Sequence, residues 1–155
     1  MDRLSVLFLC THNSARSQMA EGLLRHYYGE RYNVFSAGAT PTQVNPLALK
    51  VMAAIGIDIS THRSKSIDEF RGQAINLVVS VCEHSVKAIC PFCSSPIRGA
   101  RPQIIEETLP GAQRYLHHPF SDPSEAEGSD DEKLVAFQQT RDEIKTWILD
   151  YFANS

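Results

Sequence analysis

The sequence predicts an α/β fold: a single doubly wound parallel sheet of four strands, flanked by helices. Three observations predict it. Short apolar runs alternate with segments of helical spacing, two of those runs end on a cysteine, and a well-capped amphipathic helix closes the chain. A chain of 155 residues, 43% hydrophobic and 21% charged, has the size of one globular unit, so residues 1–155 are read as one domain.

Ser5 to Cys10 is an apolar run suited to a buried strand, and the turn-prone Thr11-His12-Asn13-Ser14 follows it. From Ser17, the positions Met19, Leu23, Leu24 and Tyr27 fall at helical spacing, and Gly29 is placed to end that helix. A second strand is predicted over Tyr32 to Ser36, closed by Ala37-Gly38. Asn45 then caps a helix that starts at Pro46 and shows an apolar face of Leu47, Leu49, Val51, Met52 and Ile55.

Ser66 to Phe70 reads as a short helix, and Ile75 to Cys82 carries the strongest strand signal in the chain. Cys90 to Gln113, rich in Pro, Gly, Ser and Arg, reads as a long excursion around a brief helix, and Arg114 to His118 as a short fourth strand. Ser129 and Glu132 form a capping box for the last helix, where Leu134, Phe137, Arg141, Ile144, Ile148 and Tyr151 share one face. In such a sheet the ligand site lies at the C-terminal ends of the strands. Cys10 and Cys82 both stand at predicted strand ends.

The net charge of −3, with Lys and Arg scattered, offers no broad basic field for nucleic acid or an anionic membrane, so any anion site must be local. Val6 to Cys10 is too short for a signal-peptide core or a membrane span, and the chain reads as cytoplasmic. In that compartment Cys10, Cys82, Cys90 and Cys93 are expected to be reactive, metal-bound or buried rather than a static disulfide framework.

Cys10 to Arg16 fits the pattern C-x5-R, with Ser17 next, between a strand and a helix start. Loop amides and a helix N-terminus converge there on an anion. The same amides, with a nearby guanidinium, favour a thiolate nucleophile. Thr11, His12, Asn13, Ser14, Ala15, Arg16 and Ser17 are therefore the candidate oxyanion cradle, with Arg16 completing it by a bidentate contact. Asn13 tolerates a left-handed backbone, and Ser14 can donate a hydroxyl hydrogen bond to the thiolate.

Leu9 to Gly22, read as LCTHNSARSQMAEG, closely resembles the signature of the arsenate reductases related to low-molecular-weight tyrosine phosphatases. Ser36-Ala-Gly38, Val44-Asn-Pro46, Ile57 to Ser60, Val81-Cys82, Cys90-Pro91 and Arg141 to Ile144 resemble that family's landmarks in order, over nearly the whole chain. The resemblance implies a low-molecular-weight phosphatase-like fold and arsenate as substrate, with phosphate or sulfate as analogues. Cys10 would attack arsenate, Cys82 the resulting adduct, and Cys90 would resolve the Cys10–Cys82 disulfide. A Cys82–Cys90 disulfide would remain for an external donor: thioredoxin, with glutaredoxin and glutathione as the alternative. No cofactor and no metal is expected, and the protein is expected to be a monomer. Such a relay requires movement, for which Glu83 to Ile89 is the candidate segment.

The chain departs from the family in a longer Cys82 to Cys90 interval, an apparent insertion from Cys93 to Arg114, and the extra Cys93. Cys93 could replace Cys90 as the third thiol. Cys82, His84, Cys90 and Cys93 could instead hold zinc. Asp122-Pro123 resembles the family's acid loop, making Asp122 the expected proton donor. Ser124 stands where tyrosine phosphatases carry an aromatic residue, which favours a small oxyanion over an aryl phosphate. A tyrosine phosphatase is the second enzyme reading, and a non-catalytic oxyanion-binding or zinc-binding module the third. Some family members bind potassium beside the anion loop. Asn13, Glu21 and Ser36 match that pattern, whereas Lys65 stands where an acidic ligand is expected.

Overall fold

A computed structural model describes residues 3–82 and 102–153. The first strand, β1, is Leu4–Cys10, and it leads into helix α1, Arg16–Tyr28. Strand β2, Tyr32–Gly38, is followed by α2, Pro46–Ala53. A 3-10 turn, Ile67–Phe70, precedes β3, Leu77–Ser80. Then come α3, Gln103–Thr108, β4, Arg114–His117, a second 3-10 turn, Pro123–Glu125, and α4, Asp130–Tyr151.

The four strands form one sheet in the order β2-β1-β3-β4, and every pair is parallel. β1 is central and wholly buried from Val6 to Cys10, which explains its uninterrupted apolar run. Its side chains alternate between two covered faces. Phe8 meets Phe152 at the end of α4, whereas Phe35, in register with Leu7, meets Phe70 of the first 3-10 turn. Helices α1, α2 and α4 pack on one another, and Arg141 of α4 ties to α2 by donating to Val51 O at 2.8 Å.

The predicted caps at Asn45 and Ser129 form, and Ser66 caps the first 3-10 turn. Asn45 Oδ1 accepts from Leu47 N at 2.8 Å, Ser66 Oγ from Asp68 N at 3.1 Å, and Ser129 Oγ from Glu132 N at 3.2 Å. Strand boundaries shift by one or two residues from the sequence reading: β1 starts at Leu4 and β4 ends at His117. β2 runs on through Ala37 and Gly38, which pair with Leu9 and Cys10. β3 is shorter than Ile75 to Cys82, although its hydrogen bonds continue past both ends: Ile75 O accepts from Gln113 N, and Val81 N donates to Leu9 O. Among the described residues no helix is long and apolar enough to cross a membrane.

Candidate active site

The chain order reverses between β1 and β3, and β1 delivers Cys10 to the edge of the sheet at that point. Residues 11–15 form the loop into α1. Its carbonyls are tied outward. Thr11 O accepts from Thr40 N at 2.8 Å, and Ser14 O from Asn45 N at 2.9 Å. His12 O accepts from Ser64 Oγ at 2.8 Å, and Asn13 O from Gln18 Nε2 at 3.1 Å. With the carbonyls engaged outside, the loop amides and the start of α1 are left for an anion.

Asn13 reverses the loop with φ of 50°, the left-handed conformation its residue type tolerates. Gly38 closes β2 directly against this turn. A Cβ on it would stand 2.8 Å from Asn13 N, 2.9 Å from Thr11 O and 3.0 Å from Cys10 O. Only a glycine lets the two backbones approach so closely.

The buried Cys10 sulfur lies 2.8 Å from Ser17 Oγ, and Asn13 Nδ2 donates to the same hydroxyl oxygen at 2.7 Å. The Asn13 amide donates to Oγ, which leaves the Ser17 proton free to be donated to a Cys10 thiolate. This corrects the expectation that Ser14 holds the thiolate: Ser14 lines the cavity, and Ser17 holds the sulfur. Asn13 is oriented in turn, because its Oδ1 accepts from Gln18 Nε2 at 2.9 Å and Lys65 N at 3.0 Å. Gln18 Oε1 meets His62 Nδ1 at 3.0 Å. Burial holds the His62 pKa below its usual value, with the Glu21 charge opposing.

Arg16, also buried, donates from Nη1 to Phe120 O at 3.0 Å, and its Nη2 lies 3.5 Å from Asp122 Oδ2. Asp122 Oδ1 accepts from Ser124 N at 3.0 Å and Ser124 Oγ at 2.7 Å. Cys10, Arg16 and Asp122 thus border one cavity of about 100 Å³, completed by His12, Ser14, Ala15, Thr42 and Ser124. It has room for one tetrahedral oxyanion or a few waters. Its small size, and a lining with no Phe, Tyr or Trp among the described residues, suit an inorganic oxyanion better than an aryl group.

Within the cradle, Asn13 and Ser17 are buried, and they act on the thiol through side-chain hydrogen bonds. The exposed His12 ring meets Thr40 O at 3.1 Å. His117 Nδ1 pairs with Ser80 Oγ at 2.5 Å, and the His118 ring packs on Phe120 and Trp147. Gln18 stands in the sequence only as part of the Leu9 to Gly22 signature, and Thr42 and His62 carry no signal there, because their roles depend on contacts with loops distant in the chain.

Cys82 is fully buried two residues past the end of β3, the strand that pairs with the one ending in Cys10. It is disulfide-bonded, whereas Cys10 is a free thiol. Cys90, Cys93, His84 and the Glu83 to Ile89 segment lie outside the described residues.

A family model described as low molecular weight phosphotyrosine protein phosphatase matches residues 5–154. An arsenate reductase of Halalkalibacterium halodurans is 41% identical over 144 residues, 93% of this chain and 91% of its own. The arsenate reductase of Bacillus subtilis is 39% identical over the same shares. Among solved structures, an arsenate reductase in the phosphate-binding state superimposes with a TM-score of 0.71 at 25% identity, covering 97% of this chain and 98% of that one. A Corynebacterium glutamicum thioredoxin-dependent arsenate reductase gives 0.66 at 27% identity, covering 98% of this chain and 61% of that one.

Proposed function

Because the chain belongs to the low molecular weight phosphotyrosine protein phosphatase family, we propose that it uses this fold to reduce arsenate to arsenite through its own thiols. The observation that carries the reading is the state of the sulfurs. Cys10, at the oxyanion cavity, is free, and Cys82, two residues past the end of the neighbouring strand β3, is in a disulfide. A phosphatase needs only the first thiol, whereas a reductase needs a second one close enough to collect the electrons.

Arsenate sits on the amides of residues 11–17, with Arg16 on its oxygens. The Cys10 thiolate attacks arsenic, and one oxygen leaves as water after Asp122 has supplied a proton. Cys82, as thiolate, then attacks the Cys10 sulfur. A sulfur–sulfur bond forms, the sulfur–arsenic bond breaks, and its electron pair stays on arsenic, which departs as arsenite. A third thiol, Cys90, displaces Cys10 from Cys82 and leaves a disulfide on Cys82 for an external dithiol. Thioredoxin is the donor in this reading, with glutaredoxin and glutathione as the alternative, and the setting is the reducing cytoplasm.

The test is a single turnover without external reductant. Fully reduced protein mixed with arsenate should release one arsenite per chain and lose two thiols, and peptide mapping should place the new disulfide on Cys82. Arsenate bound without arsenite release would leave only an oxyanion-binding module. Rapid hydrolysis of aryl phosphates without thiol loss would favour the phosphatase.

A further inference from the structure

Glu21 is a buried carboxylate beneath the anion loop, and every oxygen it has is taken. Oε1 accepts from Ser36 Oγ and lies 3.7 Å from Lys65 Nζ. Oε2 lies 2.8 Å from Arg25 Nη1 and 3.5 Å from His62 Nε2. Asn13 Oδ1 is likewise used twice, by Gln18 and by the Lys65 backbone. Among the described residues no buried side-chain nitrogen or oxygen lacks a partner. The Asn13 and Glu21 oxygens that would match a potassium site are therefore engaged with protein donors, the Ser36 hydroxyl spends its proton on Glu21, and an ammonium stands beside the carboxylate. A potassium ion does not fit this arrangement.

We propose that Lys65 is a tethered cation that positions the anion loop, so that the loop works without potassium. One ion pair and two backbone hydrogen bonds of a single residue make the connection. Nζ reaches Glu21 of α1, the backbone N–H holds the Asn13 amide, and the backbone carbonyl accepts from Gly38 N at 2.8 Å at the end of β2. Asn13 then sets the Ser17 hydroxyl against the Cys10 sulfur. The left-handed turn at Asn13 is a conformation that surrounding contacts must hold in place, and Lys65 provides one of them.

Stability alone does not account for an ammonium at this place. Burial draws the Lys65 pKa below the usual lysine value, against the pull of Glu21, so the charge is held at a desolvation cost. Replacing it by an apolar side chain should leave the fold intact and weaken the loop.

The test uses the thermal shift produced by sulfate on the whole reduced protein, in potassium chloride or choline chloride at equal ionic strength. The inference rests on the oxyanion reading of residues 10–17, and the two fail differently: no shift in the wild-type protein would sink that reading itself. The wild-type shift should be equal in both salts. Lys65→Met should lower sulfate affinity in both salts, by about 5-fold to 150-fold, the usual range for coupled sites. Lys65→Arg should retain it. Lys65→Asp should show the loss in choline chloride and recover in potassium chloride. Potassium dependence of the wild-type protein would overturn the proposal. So would a folded Lys65→Met protein with the wild-type sulfate affinity, and this variant decides the matter if Lys65→Asp does not fold.

Discussion

The Cys10 sulfur and the Ser17 hydroxyl stand 2.8 Å apart, with the hydroxyl oxygen already accepting from Asn13 Nδ2. The serine that stabilises the thiolate is therefore the one in the first turn of α1, not the one in the loop. A hydrogen bond to a charged group contributes about 1.5–3 kcal/mol, so Ser17→Ala should slow arsenate turnover roughly 10-fold to 100-fold. Ser14→Ala should lose less. Rates of Cys10 alkylation at fixed pH check this directly, and an ordering with Ser14→Ala the slower variant would restore the loop serine to that role.

Gly38→Ala places a methyl group against three backbone atoms of residues 10–13, none of which can swing aside as a side chain would. The loop must shift. Turnover and sulfate stabilisation should both fall, while far-UV circular dichroism stays unchanged, because the strand pairing of β2 does not depend on that side chain. Gly72, whose Cβ would enter open space, has φ of 77°. An alanine there should cost stability through backbone strain without changing anion affinity.

Asp122 faces Arg16 and accepts two hydrogen bonds from Ser124. If it is the proton donor, Asp122→Asn should slow arsenate turnover by about 10²-fold to 10⁴-fold, the usual contribution of general acid catalysis. Any hydrolysis of p-nitrophenyl phosphate should fall less, since nitrophenolate leaves with little help. Anion stabilisation should persist. Equal, small effects on both reactions would reduce Asp122 to a turn residue.

His118 is packed against Phe120 and Trp147, and burial lowers its pKa from the usual 6.5. On acidification the unfolded chain takes up this proton first. Stability from the neutral ring is thus complete above about pH 6.5 and is lost as pH falls through the lower folded-state value. His62, lowered chiefly by burial, acts in the same direction. The melting temperature should therefore decline from pH 7 toward pH 5, and His118→Phe should flatten that decline. An unchanged slope would assign it to other groups.

Much of this site was legible because it is local. The apolar run into Cys10, the C-x5-R spacing, the Asn45-Pro46 and Ser129 caps and the Asp122-Pro123 turn each depend on residues a few positions apart. What escaped depends on distant contacts. Which serine meets the sulfur follows from the orientation of Asn13, which the backbone of Lys65 and the side chain of Gln18 impose. The ties that turn the loop carbonyls outward come from Thr40, Asn45 and Ser64, and no local pattern announces them. The end of β2 was set short for a similar reason: Ala37 and Gly38 look like a turn, yet they pair with Leu9 and Cys10.

Steady-state oxidation of NADPH through thioredoxin reductase and thioredoxin, started by arsenate, tests the reductase reading most directly. The wild-type protein should turn over many times, and one arsenite should appear for each NADPH consumed. Cys10→Ser and Cys82→Ser should abolish the reaction, although Cys82→Ser keeps the oxyanion cavity intact. Sustained arsenate-dependent NADPH oxidation by Cys82→Ser, or none by the wild-type protein with either thioredoxin or glutaredoxin and glutathione, would contradict a thiol relay from Cys10 to Cys82.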